Sequence, residues 1–185
     1  MKKLLLIPIL LLGLTWNAEA QKYFTRAGKV TFQSKALLEK IEAQNNKATS
    51  VIDVETGQLE FAVLIKAFQF EKALMQEHFN ENYMESSQFP KAKFKGEILD
   101  VQQIDFTKDG EYLTKIEGTL TIHGVSQNLQ TTAQITIANG QVSAQSEFSV
   151  AVADFNIKIP SVVQDNIAKE VTVSVDIENY KLFKK

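Results

Sequence analysis

The sequence has no cysteine, two histidines, no apolar run long enough to cross a bilayer and no marked excess of charge of either sign. Without cysteine there is no disulfide, no thiol nucleophile, no thiolate metal site and no residue to carry a lipoprotein acyl anchor. Stability therefore has to come from a hydrophobic core, and the chain is long enough to build one. The 20 basic residues nearly balance the 22 acidic ones, which excludes the strongly basic, clustered composition of a nucleic-acid binder. There is no G-x-S-x-G elbow, phosphate loop or dinucleotide fingerprint either.

The longest uncharged apolar run, Leu4 to Leu14, covers eleven residues, against the roughly 20 that a bilayer-spanning helix needs. Lys2 and Lys3 precede it and Ala18-Glu19-Ala20 follows it, the three parts of a cleavable secretory signal. We expect residues 1–20 to be a signal peptide and the mature chain to begin at Gln21, soluble in a periplasm or outside the cell, with no transmembrane segment. Removing Lys2, Lys3 and Glu19 leaves 18 basic and 21 acidic residues, a mature net charge of −3. Residues 21–185 suit one domain.

Within that domain the dominant period is two, the signature of strands with one buried face. Leu59, Phe61, Val63 and Ile65 alternate with Glu60 and Lys66. Ile116, Gly118, Leu120 and Ile122 alternate with Lys115, Glu117, Thr119 and Thr121. A third strand carries Leu129, Thr131, Ala133, Ile135 and Ile137 on one face; others run from Val142 to Val152 and through Val171, Val173, Val175 and Ile177. Weaker alternation marks Lys29–Gln33, Ala48–Asp53 and Ala92–Asp100. Turn chemistry separates them: Glu55-Thr56-Gly57, Lys108-Asp109-Gly110, His123-Gly124 and Asn139-Gly140. Consecutive strands are thus expected to be antiparallel neighbours, about eight in all, which suits an up-and-down barrel or a sandwich. From Glu71 to Met84 the period changes: Leu74, Met75, Phe79 and Tyr83 follow helical spacing, with His78 and Asn82 in line, and predict a helical insert.

Reaction chemistry is sparse. Glu77-His78-x-x-Glu81 places two carboxylates near an imidazole but lacks the second histidine of H-E-x-x-H, so His78 reads as a packing residue on the amphipathic stripe rather than a metal ligand. His123 reads as a turn residue. Twelve phenylalanines are the more informative feature, and they fit either a solid core or the wall of an apolar cavity.

Three segments resemble the YceI family of exported, lipocalin-like barrels. Phe89-Pro90-Lys91-Ala92-Lys93-Phe94-Lys95-Gly96 is similar to that family's F/Y-P-x-A-x-F segment. Ile116 to Val125, ending Leu120-Thr121-Ile122-His123-Gly124-Val125, is similar to its G-x-L-T-I-x-G-V hairpin. Val152-Ala153-Asp154-Phe155-Asn156-Ile157 and the strand from Glu170 to Glu178 resemble its closing D-F segment and last strand. The resemblance implies an all-β fold, a closed antiparallel lipocalin-like barrel of about eight strands with a short helical insert. It also implies a non-enzymatic role without cofactor, with a polyisoprenoid or isoprenoid quinone, a long-chain apolar lipid, held in the lumen, and residence in a periplasm. A monomer and a homodimer are both compatible with it. Two arginines common in the family are missing: Ala151, Val152 and Ala153 precede the D-F pair, and Gln127 closes the hairpin pattern.

The expected ligand wall takes the apolar phase of each strand: Phe32, Phe61, Val63, Phe94, Ile98, Leu120, Ile122, Phe148 and Val150. From the insert come Met75, Phe79 and Tyr83, which share a helical face and would cover one end of the barrel.

Overall fold

A computed structural model of the chain describes residues 21–183; the expected signal peptide lies outside the described residues. Nine strands form one antiparallel sheet: β1 (Lys22–Lys35), β2 (Lys40–Asp53), β3 (Gln58–Leu64), β4 (Gln69–Phe70), β5 (Lys91–Ile98), β6 (Gly110–Ile122), β7 (Val125–Ala138), β8 (Gln141–Ala151) and β9 (Glu170–Leu182). Eight of them close on themselves in the order β1-β2-β3-β5-β6-β7-β8-β9, with β9 returning to pair with β1; the two-residue β4 adds only to β2. Closure removes the free edges that an open sheet of this size would present. Of the two expected architectures, the barrel is the one formed.

The hairpin turns follow from their residues. His123-Gly124 and Asn139-Gly140 all have positive φ, between 50° and 74°, as a two-residue turn with primed geometry requires. They fix the pairs Ile122 with Val125 and Ala138 with Gln141, so the apolar phases of β6, β7 and β8 all face inward.

The two strands that sequence resolves only in part, β1 and β2, are the longest elements along with β7. Each contains a bulge: pairing passes from Thr25 with Ser50 to Gly28 with Ala48 and then to Val30 with Asn45, so each strand gains one residue in turn. A bulge shifts the inward phase from odd to even positions and bends the strand, which helps the sheet to curl closed. Asn45, wholly buried, satisfies the backbone at this bend: its amide donates to the Leu64 carbonyl at 2.8 Å and its oxygen accepts from Lys47 N–H at 2.8 Å.

The β2–β3 turn is held by Asp53. Its carboxylate accepts from Glu55 N–H at 3.1 Å and Thr56 N–H at 3.2 Å, and lies 3.3 Å from the Lys22 ammonium. Burial alone would raise the carboxyl, but the Thr56 N–H, the Lys22 ammonium and the Glu55 N–H outweigh it and hold it below the ordinary carboxylate range. A depressed pKa contributes stability that is complete above about pH 4 and is lost as pH falls. Asp53→Asn is therefore expected to cost about 1–2 kcal/mol at neutral pH, and urea titrations should show the gap to wild type closing below about pH 4. A constant gap across that range would contradict this account.

The insert is shorter than the expected Glu71–Met84. Helix α1 spans Ala73–His78 and runs into a single π turn, Phe79–Tyr83. From Ala73 to Tyr83 there is no β-branched residue, and Ala, Leu, Met, Gln and Glu favour helix. Leu74 departs from the expected stripe: it is 61 % exposed, one position off the inward line of Met75, Phe79 and Tyr83.

Candidate functional site: an apolar cavity in the barrel

The inward faces of the strands pack together at one end of the barrel but do not meet along their whole length. They enclose a cavity of about 450 Å³, inside the range of about 300–1,000 Å³ typical of sites for small apolar ligands. The solid-core alternative is thereby set aside. The cavity's floor lies where β1 begins and β9 ends. There Tyr23 stacks on Phe106 at 5.8 Å, and Val101 and Ile104 pack with Ile52, Ile98 and Val142 into a buried plug.

The opposite end is roofed from two sides. On one side four phenylalanines interlock: Phe32 on β1, Phe68 just before β4, Phe70 in β4, and Phe79 at the end of α1, with ring centroids 4.9–5.7 Å apart in five pairs. Such aromatic pairs add about 0.5–1.5 kcal/mol each beyond the area they bury. This is what ties the insert to the barrel, since α1 by itself is too short to be a stable helix. On the other side the segment between β8 and β9 crosses the opening, turning Ile157, Ile159, Val163 and Ile167 toward the cavity. It is pinned to the β1–β2 hairpin by Ala168 N–H to Ser34 Oγ (2.8 Å) and Leu38 N–H to the Asp165 carbonyl (3.1 Å).

All twelve residues of the predicted wall border this cavity: Phe32, Phe61, Val63, Phe94, Ile98, Leu120, Ile122, Phe148 and Val150 from the strands, and Met75, Phe79 and Tyr83 from the insert. They differ in packing. Val63 is buried in a cluster with Val30, Ala43, Ala48 and Phe68, whereas Val150 and Phe148 are only partly covered and stand against the open space. Sequence reasoning missed two groups of wall residues. Phe68 follows the 3₁₀ turn after β3 and Phe70 ends the two-residue β4, and Ile157 to Ile167 lie in a segment that holds a 3₁₀ turn, Ser161–Val163, and no strand; neither group continues the alternation of a long strand. The Ile157/Ile159 spacing was the one signal available for the second group.

The chain matches the model of the YceI-like domain over residues 22–179. It belongs to that family. Solved structures with the same fold include a polyisoprenoid binding domain from Saccharophagus degradans, with TM-score 0.75 and 13 % identity over 88 % of this chain and 98 % of that one. BcnA of Burkholderia cenocepacia follows at TM-score 0.66 and 15 % identity over 85 % and 96 % of the two chains. The Campylobacter jejuni YceI protein aligns at TM-score 0.59 and 16 % identity over 77 % and 85 %. No curated protein sequence matches the chain.

Where the YceI resemblance anticipates arginines, this barrel has a backbone bridge instead. The Gln127 amide donates to the Asp154 carbonyl at 2.8 Å, tying the β6–β7 hairpin to the 3₁₀ turn after β8. Gln127 is exposed and does not border the cavity. Beside it His123 is held between Glu85 (Nε2 to Oε2, 2.8 Å) and the Phe155 carbonyl (Nδ1, 3.2 Å), with Phe89 packed edge-on at 4.6 Å. Both nitrogens therefore face protein acceptors rather than the cavity. His78 borders the cavity from α1. Among the described residues, neither histidine is hydrogen-bonded to a serine, and no three His, Asp or Glu side chains converge as a metal site.

Proposed function

We propose that this protein is exported and that it sequesters or carries an isoprenoid, or a similar long apolar lipid, in its barrel without chemically altering it. The supporting observation is the cavity: about 450 Å³ bordered mainly by Phe, Leu, Ile, Val and Ala side chains. Burial there is worth about 0.8 kcal/mol per CH₂-sized group, so each five-carbon isoprene unit would gain on the order of 4 kcal/mol. A ligand of this class is nearly insoluble alone, and a hollow barrel with a polar exterior lets it be moved through water. That the Saccharophagus structure is described as a polyisoprenoid binding domain agrees with this reading. The binding role, rather than catalysis, is supported by His123 being engaged at both nitrogens away from the cavity. Lys2, Lys3, the Leu4–Leu14 run and Ala18-Glu19-Ala20 support export to a periplasm.

The test is organic extraction of the protein purified from its native cell envelope, followed by mass spectrometry of the extract. A prenyl-chain lipid in near-stoichiometric yield is the expected result. An extract free of lipid, or the unprocessed chain found in the cytosol, would count against the proposal.

A further inference from the structure

We propose that a buried pair of hydroxyls, Ser50 on β2 and Tyr180 on β9, docks an uncharged oxygen-bearing end of the lipid, a hydroxyl or carbonyl, at the floor of the cavity. This rests on the lipid-binding reading above and specifies which end of the ligand goes in first. The two oxygens lie 2.8 Å apart; Ser50 is 1 % exposed, Tyr180 is 4 % exposed, and both border the cavity. Ile52, Ile98, Ile135 and Ile177 belong with Tyr180 to one buried apolar cluster and border the same cavity.

Hydrogen-bond counting makes the pair incomplete. Each hydroxyl carries one proton and can accept twice. The bond between them uses one proton, whichever oxygen donates, and neither side chain makes another hydrogen bond among the described residues. One O–H is left without an acceptor in an apolar enclosure, a state that disfavours burial. An oxygen on the ligand supplies that acceptor. Tyr180 reaches this place through a third bulge: pairing passes from Val142 with Tyr180 to Ala144 with Ile177, so β9 gains a residue and the ring turns inward. Burial also raises the Tyr180 hydroxyl's pKa above its ordinary value, keeping it protonated and able to donate.

The same floor disfavours an anionic end. The cavity's bordering residues include only Lys93 and His78 as cationic candidates, on β5 beside Thr121 and on α1, both toward the roof. A phosphate or carboxylate lowered to Ser50 and Tyr180 would lose its hydration with no charge to meet it.

Three probes with the same tail separate the possibilities: farnesol, farnesene and farnesyl diphosphate, each partitioned against the delipidated whole protein. The ratio of farnesene to farnesol dissociation constants is expected to fall about tenfold from wild type to the Ser50→Ala/Tyr180→Phe variant, with farnesene binding unchanged, as loss of one hydrogen bond predicts. Both hydroxyls must go, because either alone keeps a proton to donate. In the wild-type protein the Tyr180 ¹³Cζ resonance should shift on addition of farnesol but not farnesene, a readout that needs no variant to fold. Farnesyl diphosphate should bind more weakly than farnesol. An unchanged ratio, equal loss of both neutral ligands, or a Tyr180 resonance indifferent to farnesol would overturn the docking point while leaving the lipid reading in place. Failure of all three probes to bind would overturn both.

Discussion

Val150→Trp is expected to cut the lipid recovered from the purified protein by about tenfold while the barrel stays folded. Val150 lies on β8 opposite Val171, only partly buried, at the edge of the core cluster where its side chain borders the cavity. An indole at that place occupies space that a prenyl chain would otherwise fill, and a loss of about 1.4 kcal/mol in binding is a tenfold loss in affinity. The change should leave far-ultraviolet circular dichroism unaltered. Its fluorescence is easy to follow, because Trp16 is the chain's only tryptophan and lies within the expected signal peptide. Val63→Trp is the contrasting case. Val63 is already packed among Val30, Ala43, Ala48 and Phe68, so the larger side chain overpacks at a cost of about 1–3 kcal/mol. For a chain of this size that is a fall in Tm of roughly 2–12 °C. Full lipid recovery from Val150→Trp, together with an equal stability loss in both variants, would show that the lipid does not occupy this cavity.

The largest stability effect is expected at Gly118. It pairs with Gly96 across β5 and β6, and both glycines face inward between large residues, Phe94 and Ile98 on one strand, Ile116 and Leu120 on the other. The ring of Phe94 lies over the gap they leave. A Cβ on Gly118 would sit 2.8 Å from that ring and would also run into the Gly96 Cα and the Lys95 carbonyl. On Gly96 it would meet the Glu117 carbonyl and, at 2.6 Å, the same ring. Because backbone as well as ring is struck, no rotamer relieves the clash. Gly118→Val should cost at least about 3 kcal/mol, lowering Tm by about 6–12 °C in a thermal melt. Adding Phe94→Leu should not restore it, since the backbone contacts remain. A Gly118→Val protein that melts with the wild type would show that β5 and β6 can separate here at little cost.

Much of this molecule is legible in its alternation. Wherever a strand keeps one phase from end to end, as in β3, β6 and β7, each inward residue could be read directly: Phe61, Val63, Leu120 and Ile122 all reach the cavity. The turns were legible for a local reason, because Asn-Gly and His-Gly supply the positive φ that a two-residue hairpin needs. The insert was legible in kind but not in extent. Its helical period is intrinsic, whereas its end at Tyr83 and the outward turn of Leu74 depend on how Phe79 docks onto Phe32, Phe68 and Phe70.

The sequence by itself determined the strands, their turns, the apolar phase and the family likeness, since each is written in neighbouring residues and needs no distant partner. Whether that apolar phase packs solid or stands open was decided by tertiary structure, because the same side chains can fill a barrel or border a cavity depending on its girth and on the glycines that let β5 and β6 close up. The bulges were decided there too. They are properties of a pair of strands, not of either strand alone, and each flips the parity on which the alternation is read. This is why β1 and β2 showed only half their length, and why Tyr180, which falls outside the apolar phase of Val171 to Ile177, ends up facing Ser50 inside the barrel.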